Sequence, residues 1–362
     1  MSGGGTAGHV FPALAVAERL RDAGHDVRFV GSAAGQEATL VPAAAFPFEP
    51  VRVASAQTRL SVHTLKALWL SFAAARVVRP LVREADIVVG IGGYARAPAI
   101  LAAKRTDTPI VVIEQNGVPG AVNRIAARWA RVVATTFEGT ARHLPSGTRI
   151  VRTGNPVRRS IVAAAGSRPE RRAEAVAFFE LDERRRTVTV LGGSQGARQL
   201  DRTAAAAITE LAGRRDLQLL VSAGPAHMTE LAPAAASAGE LVVRVIGFID
   251  RMDLALSVSD LAVARAGSGT LAELSVCGVP SILVPYPHAT ENHQEANARE
   301  VASAGGAEVV LESNLTPRVF ADHVTDLAGD EARRAAMRRA MLAWARPDAT
   351  ERIAAIVEEF AA

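Results

Sequence analysis

The sequence contains a single cysteine, Cys277, among its 362 residues. One thiol excludes a disulfide framework and a cysteine-based zinc site, and it is typical of proteins in a reducing compartment. No run of about 18 to 20 uncharged apolar residues occurs, which argues against a membrane-spanning helix. The first residues lack the basic segment and the apolar run of a secretory signal. We therefore expect a cytoplasmic protein that at most rests on a membrane surface.

Lysine is almost absent as well, since only Lys66 and Lys104 occur and nearly every positive charge is an arginine. The 41 basic residues exceed the 37 acidic ones, and the net charge of +4 favours an anionic surface or a phosphate-bearing ligand. Asp-x-Asp does not occur, and His288 and His293 have no evident third ligand, so we expect no metal site. A content of 49% hydrophobic and 22% charged residues excludes a disordered chain.

Short runs rich in valine and isoleucine alternate along the chain with longer segments of helical period. Continuous β-branched runs bounded by glycine or proline, each followed by a helix, predict buried parallel strands with crossover helices. The sequence therefore predicts an α/β protein with two doubly wound, Rossmann-like domains. The predicted strands are Asp26–Ser32, Asp86–Gly90, Pro109–Gln115, Arg131–Thr136, Thr148–Thr153, Arg186–Leu191, Leu217–Ser222, Leu241–Gly247, Leu261–Ala266, Pro280–Pro285 and Glu308–Leu311.

The domain boundary is expected near Asn155–Arg158, because a polar, arginine-rich stretch follows before the second set of strands begins. We expect an N-terminal domain over 1–157, a C-terminal domain over 158–346, and an amphipathic helix over 347–362 with an unknown docking side. Only two residues precede the first glycine-rich turn, so the strand that should lead into it is expected to be missing. An empty central slot would expose two strand edges, which favours a start assigned too late.

Two glycine-rich turns, Gly3–Gly8 and Gly192–Gly196, stand at corresponding places in the two halves, each before a helix. Glycine lets the backbone approach a ligand closely, and a helix N-terminus offers free N–H groups and a positive dipole end. The turns are therefore interpreted as phosphate-type sites, with plain tight turns as the alternative. Neither contains the motif of a nucleotide hydrolase or the full dinucleotide fingerprint.

A third turn, Arg265–Thr270, again lies between a strand and a helix. Thr270 and Glu273 form either a capping box or a site in which Glu273 accepts hydrogen bonds from ribose hydroxyls beside a bound diphosphate. The polar segment 285–297 follows another strand, where hydrogen-bonding groups suit a sugar. His9 follows the first turn and is either a helix cap or a general base.

The segment His63–Arg83 places four apolar side chains on one helical face, with Lys66, Arg76, Arg79 and Arg83 beside it. The apolar residues are Leu65, Leu68, Trp69 and Phe72. Packing into the core is one interpretation of this face. The other is a helix that lies on anionic lipid, because cations at the edge of an apolar strip suit such a surface.

Six motifs in this order resemble the MurG family of peptidoglycan N-acetylglucosaminyltransferases, over essentially the whole chain. They are Gly4–His9, Gly92-Gly93-Tyr94, Glu114-Gln115-Asn116, Gly154–Arg158, Gly192–Arg198 and Gly267–Glu273. The resemblance implies a GT-B fold with an interdomain cleft, and an inverting, metal-independent transfer without a cofactor. The implied donor is UDP-N-acetylglucosamine, and the acceptor is the 4-hydroxyl of the muramoyl sugar of lipid I, which becomes lipid II. The implied location is the cytoplasmic face of the cell membrane, on an anionic surface, with no nucleic acid as a partner.

The resemblance also implies roles for single residues. His9 would be the general base, and the strip of Leu65, Leu68, Trp69 and Phe72 the membrane face. Ser194 and Ser268 to Thr270 would flank the diphosphate, Ile249 would touch the uracil edge, and Glu273 the ribose. Gln294 would bind the sugar together with Asn297, with His293 as the alternative to Gln294. From the N-terminal domain, Thr6, Ala7, Gly8, Asn116 and Arg158 would close on the donor and the acceptor. The full set implied to bind UDP-N-acetylglucosamine is Thr6, Ala7, Gly8, Asn116, Arg158, Ser194, Ile249, Ser268, Gly269, Thr270, Leu271, Ala272, Glu273, Gln294 and Asn297.

Three other functions remain open at this point. A related GT-B transferase that acts on a lipid such as diacylglycerol would keep the 268–273 turn, without needing Asn116 and the first turn together. A UDP-N-acetylglucosamine 2-epimerase would need carboxylates at the reacting carbon and no lipid face. A non-catalytic scaffold for cell-wall assembly would bind the donor but transfer nothing.

Overall fold

The computed structural model describes residues 1–54, 62–192, 197–224 and 227–361. The chain divides into two compact units. Unit 1 comprises Met1–Arg158 and Arg346–Ala362, and unit 2 comprises Arg159–Ala345. The boundaries expected from the sequence lie within one residue of these divisions, and the C-terminal helix belongs to unit 1.

Unit 1 contains a seven-stranded parallel sheet in the order β3-β2-β1-β4-β5-β6-β7. Strand order reverses beside β1, as in other doubly wound folds. The strands are β1 (Ser2–Gly3), β2 (Phe29–Ser32), β3 (Phe48–Val51), β4 (Val88–Ile91), β5 (Ile110–Glu114), β6 (Val132–Thr135) and β7 (Ile150–Arg152). The helices are α1 (Ala7–Asp22), α2 (Glu37–Ala43), α3 (Val62–Val77), α4 (Arg79–Arg83), α5 (Ala97–Thr106), α6 (Ala121–Ala126) and α16 (Ala349–Ala361).

Unit 2 contains a six-stranded parallel sheet in the order β10-β9-β8-β11-β12-β13. Its strands are β8 (Arg186–Leu191), β9 (Leu217–Ser222), β10 (Val242–Ile246), β11 (Ser259–Ala264), β12 (Ser281–Leu283) and β13 (Ala307–Val309). Its helices are α7 (Arg159–Gly166), α8 (Arg168–Phe178), α9 (Arg198–Leu211), α10 (Met228–Ala236), α11 (Met252–Val258), α12 (Ser268–Val276), α13 (His293–Ser303), α14 (Pro317–Gly329) and α15 (Glu331–Trp344).

The central strands are buried on both faces, as their unbroken apolar runs predict. Val111, Val112 and Ile113 of β5 have no exposed surface, and neither do Val188 and Val190 of β8. Every strand predicted from the sequence is present; β8 and β9 have the predicted bounds, and the ends of the others move by a few residues. The prediction of two doubly wound α/β domains is therefore confirmed.

The expectation that the first strand is missing is wrong. Ser2 and Gly3 form β1 between β2 and β4, where Ser2 pairs with Val30 and Gly90 and Gly3 pairs with Ile91. Because both neighbours pair with these two residues, a very short strand fills the central slot and leaves no open edge there.

The C-terminal helix α16 packs on α1. Ile353, Ala354 and Val357 are buried in the same apolar cluster as Val10 and Ala13 of α1. At the edge of this contact, Nε2 of His25 lies 3.4 Å from a carboxylate oxygen of Glu358. The docking side that helical spacing left unknown is therefore unit 1.

Candidate functional site

The first glycine-rich turn of unit 1 leads from β1 directly into α1. Thr6 is the N-cap of this helix, and its carbonyl oxygen accepts hydrogen bonds from the N–H groups of His9 (3.0 Å) and Val10 (3.2 Å). Gly8 and His9 therefore lie in the first helical turn. The hydroxyl of Thr6 lies 3.3 Å from Nδ1 of His9, so the two predicted site residues are hydrogen-bond partners.

The imidazole of His9 packs on the turn that follows β4. A Cβ placed on Gly92 would lie 2.1 Å from Cδ2 of His9, and one on Gly93 would lie 2.1 Å from the carbonyl oxygen of Gly4. Gly92 and Gly93 also have positive φ angles of 50° and 61°. Two separate glycine-rich motifs of the sequence thus meet at His9, and any larger residue at these positions would displace it.

The end of β5 holds the first turn of α1 in place. Nε2 of Gln115 donates to the carbonyl oxygen of Gly8 at 3.3 Å and to Oδ1 of Asn155 at 2.8 Å. Asn116 is partly buried, and its N–H donates to the Glu114 carboxylate at 2.9 Å. Gln115 therefore connects three of the motifs that the sequence analysis singled out.

A buried arginine stands beside these residues. Arg96 is 3% exposed, and burial lowers the pKa of its guanidinium to about 10, while the nearby Glu114 opposes that shift. Asn123 donates to the other oxygen of Glu114. Arg96 was not predicted as a site residue from the sequence, because an arginine in a helical pattern is normally a surface residue.

Arg158 is the last residue of the first segment of unit 1. Its guanidinium lies 5.2 Å from the ring centroid of Phe11 in α1, a distance at which the cation and the ring attract each other. Thr6, Gly8, His9, Asn116 and Arg158 are thus all attached to α1 or to the loops that contact its first turns.

In unit 2, the turn after β11 leads into α12. Gly267 is the N-cap, with φ −67° and ψ 139°, and α12 begins at Ser268. Thr270 is therefore the third residue of the helix, so the interpretation of Thr270 and Glu273 as a capping box is wrong. The first N–H groups of a helix have no acceptor within the helix. Glu273 lies one turn further along and is partly exposed.

Arg265 joins the two strand ends from which the predicted donor segments emerge. It is 6% exposed, and its guanidinium donates to the carbonyl oxygens of Val284 (3.2 Å) and Pro285 (3.3 Å). The same side chain forms an ion pair with Glu312. The segments 266–273 and 285–297 therefore start from neighbouring strand ends that Arg265 connects.

The two residues predicted to bind the sugar have partners within the protein. Nδ2 of Asn297 donates to the carbonyl oxygen of Ala266 at 3.2 Å, and Asn297 has no exposed surface. Oε1 of Gln294 accepts from the N–H of Tyr286 at 3.0 Å. Nδ1 of His293 lies 2.8 Å from the carbonyl oxygen of Thr290. The hydrogen bond of Asn297 connects α13 to the turn before α12.

The remaining predicted donor contacts are Ile249, Leu271, Ala272 and Ser194. Ile249 follows β10, and its side chain is 3% exposed, whereas the adjacent Phe248 is 58% exposed. Leu271 and Ala272 are buried in α12. Ser194 lies outside the described residues.

Unit 2 also contains a buried ionisable pair that the sequence did not reveal. Nδ1 of His227 lies 2.7 Å from Oδ2 of Asp201, which is 1% exposed. Burial raises the pKa of Asp201, and the hydrogen bond with His227 opposes this shift. Asp201 is in the first turn of α9, directly after the second glycine-rich turn, and His227 precedes α10. Only the fold brings these distant residues together.

The helix α3 exposes part of its predicted membrane face. Trp69 is 67% exposed, Phe72 is 40% exposed and Val77 is 65% exposed, whereas Ala67 and Ala74 are buried. The guanidinium of Arg105 lies 5.4 Å from the ring centroid of Phe72. The side chains of Leu65 and Leu68 lie outside the described part of the structure.

The described residues contain neither a metal-ligand cluster nor a membrane-spanning helix. No group of three or more histidine, cysteine, aspartate or glutamate side chains in these residues is placed to hold a metal ion. Within the same ranges, no helix has the length and apolar character needed to span a bilayer.

Residues 1–135 match the glycosyltransferase family 28 N-terminal domain, and residues 187–353 match the C-terminal domain of the same family. The chain is 40% identical, over its whole length and 97% of the relative, to the UDP-N-acetylglucosamine--N-acetylmuramyl-(pentapeptide) pyrophosphoryl-undecaprenol N-acetylglucosamine transferase of Acidothermus cellulolyticus. The crystal structure of Acinetobacter baumannii MurG has 29% identity, with a TM-score of 0.78 over 99% of this chain and 98% of that one. A UDP-GlcNAc 2-epimerase from Neisseria meningitidis, 13% identical with a TM-score of 0.68 over 99% of each chain, shares the fold alone. The chain therefore belongs to the MurG family of glycosyltransferases.

Proposed function

We propose that this chain transfers N-acetylglucosamine from UDP-N-acetylglucosamine to the C4 hydroxyl of the muramoyl sugar of lipid I. The product is lipid II, a precursor of peptidoglycan. The observation that carries the proposal is the 40% identity to the Acidothermus cellulolyticus transferase over the whole chain. Because the relation covers both units, it supports the same donor and the same acceptor.

Unit 2 is proposed to hold the donor. The N–H groups of Ser268, Gly269 and Thr270 at the start of α12 would face the diphosphate, where the positive end of the helix dipole stabilises the charge of the departing UDP. Glu273 would accept hydrogen bonds from the ribose hydroxyls. Ile249, which is 3% exposed, would touch the uracil edge.

For the sugar, we propose different tasks for the two amide side chains. Gln294 would bind a hydroxyl of N-acetylglucosamine, together with Ser194 on the diphosphate side. Asn297 is fully buried and donates to the carbonyl oxygen of Ala266, which supports a positioning task for it. In this role it would hold the turn before α12 and would not touch the sugar.

Unit 1 is proposed to supply the acceptor side. His9 would take the proton of the C4 hydroxyl while the bond between the donor sugar and UDP breaks and the new glycosidic bond forms with inversion. Thr6 lies at Nδ1 of His9, so Nε2 is the nitrogen that would take the proton. Ala7, Gly8, Asn116 and Arg158 would line the same site.

The exposed strip of α3 is proposed to lie on an anionic membrane surface. Trp69 and Phe72 would insert among the lipids, and Arg76 and Arg105, both exposed beside them, would face the headgroups. An apolar strip with cations at its edge suits a helix at the interface. This contact would bring the enzyme to its lipid-linked acceptor.

Replacing Trp69 and Phe72 together by serine is expected to weaken binding to anionic phospholipid vesicles about tenfold or more, because two exposed aromatic rings no longer enter the lipid. Vesicle co-sedimentation measures the change. The matched control is Phe178→Ser, which removes a ring that is 56% exposed in unit 2. Unchanged vesicle binding by the double variant would contradict the membrane face.

The transferase proposal is tested by incubating the chain with radiolabelled UDP-N-acetylglucosamine and a lipid I analogue, in the presence of EDTA. We expect label in lipid II at an undiminished rate, because the proposed charge stabilisation comes from a helix N-terminus. Loss of transfer on chelation, restored by a divalent ion, would contradict the metal-independent mechanism. Donor binding by calorimetry without any transfer would favour a scaffold or another acceptor.

The same assay separates the other enzymatic alternatives. A 2-epimerase would change the donor in the absence of any acceptor, and a diacylglycerol transferase would label that lipid instead of lipid I. We expect neither product from this chain.

A further inference from the structure

The carboxyl group of Glu37 lies buried behind the first glycine-rich turn. Glu37 begins α2 and is 1% exposed. One of its oxygens accepts from the N–H of Gly5 at 2.7 Å, and the other accepts from the N–H of Ser32 at 2.8 Å. Both oxygens act as acceptors, which suits the ionised carboxylate. The side chain therefore links the turn after β1 to the end of β2.

Three glycines from separate segments make room for this carboxyl group. A Cβ placed on Gly4 would lie 2.1 Å from Cδ of Glu37, and one on Gly31 would lie 2.7 Å from Cγ. A Cβ on Gly35 would lie 2.2 Å from Oε2. Gly4 also has a φ of 143°, which other residues rarely adopt. The local backbone is thus shaped around a carboxyl group at this position.

This arrangement changes what the first turn can bind. In a phosphate-binding turn, the backbone N–H groups face the ligand. Here the N–H of Gly5 is already used by an oxygen of Glu37. This N–H is therefore not one of the groups that the first glycine-rich turn can offer to a ligand.

We propose that Glu37 is a positioning residue that fixes the first glycine-rich turn, so that the turn presents Thr6 and His9 to the acceptor. This inference rests on the proposed transferase function for its kinetic consequence. Thr6 and His9 follow Gly5 directly, so a shift of the turn moves both of them. Rate depends strongly on such alignment, because a small misplacement of a catalytic group raises the barrier.

The decisive variant is Glu37→Gln, which keeps the shape but leaves only one oxygen as an acceptor. We expect amide hydrogen exchange at Gly5, Ser32 or both to become about tenfold faster, because a hydrogen bond to a charged acceptor is lost or weakened. We also expect kcat to fall about tenfold, with the donor KM changed less than about twofold. A purely structural role would leave kcat of the folded enzyme unchanged. The matched control is Glu49→Gln, the same change on the exposed edge strand β3.

A second variant guards against misfolding of the first. Gly35→Ala places a Cβ 2.2 Å from Oε2 and 2.5 Å from Oε1 of Glu37, the two oxygens that accept from Gly5 and Ser32, so we expect faster exchange at both amides.

Unchanged exchange at both amides in Glu37→Gln would overturn the inference, whether or not the chain transfers sugar. If the parent transfers sugar, unchanged kcat in Glu37→Gln would also overturn it. Failure of the parent to transfer sugar would instead count against the proposed function, and the exchange measurements would still decide the role of Glu37.

Discussion

Replacing His9 by alanine is expected to lower kcat about 100-fold or more, with little change in the donor KM. A positioned general base typically contributes about 10²- to 10⁴-fold to a rate. The side chain is well placed for that task, because the Thr6 hydroxyl lies 3.3 Å from its Nδ1 and Gly92 gives it the space it occupies. The donor KM should hold, since His9 is not among the proposed donor contacts. Steady-state transfer to a lipid I analogue measures both constants.

The matched control for this variant is His25→Ala. His25 is exposed and lies in the same unit. Its Nε2 lies 3.4 Å from a carboxylate oxygen of Glu358 in α16. We expect the control to keep the parent rate. Turnover of His9→Ala within about threefold of the parent would show that another group takes the proton.

Replacing Glu273 by alanine is expected to raise the donor KM about 30-fold. A carboxylate that accepts from two hydroxyls loses bonds worth together about 2 kcal/mol, after exchange with water is taken into account. Glu273 is partly exposed one turn into α12, so it remains accessible to a ligand at the start of that helix. Calorimetric titration with UDP-N-acetylglucosamine measures the affinity directly, without an acceptor.

Glu183→Ala provides the control for the donor site. Glu183 is exposed and precedes β8, whereas the proposed donor residues follow the strands of the same sheet. We expect donor affinity close to that of the parent in this control. Equal donor affinity in Glu273→Ala and the parent would contradict the proposal that Glu273 binds the ribose.

The architecture was largely predictable from local patterns. Runs such as Arg186–Leu191 and Leu217–Ser222 consist mainly of β-branched or apolar residues, and these two strands have the predicted bounds. The edge strand β3 was not predicted, because its residues Glu49 and Pro50 are exposed and its run is too short and mixed to stand out. The two-residue strand β1 depends on pairing with β2 and β4, which no local pattern reveals.

The site was predictable only in part, for a related reason. The glycine-rich turns are recognisable in the sequence, and the prediction of Thr6 and His9 as site residues follows from their position in the first of these turns. The contact between His9 and Gly92 joins distant segments, as do the hydrogen bonds of Glu37 and the pair of Asp201 and His227. Spacing along the chain carries no information on such contacts. The capping box was predicted wrongly for a different reason: the short motif is present, but the N-cap of α12 is Gly267, three residues before Thr270.

The contact between α16 and α1 has a consequence for synthesis on the ribosome. Val10 and Ala13 of α1 share their apolar cluster with Ile353, Ala354 and Val357, which are translated after all of unit 2. At about 5 to 20 residues per second, α1 waits roughly 15 to 70 s for this cover. During that interval part of the apolar face of α1 lacks its final packing partner, and apolar surface exposed in an unfinished chain favours aggregation. The intervening unit can meanwhile complete its own sheet, so the segment made first is the one finished last.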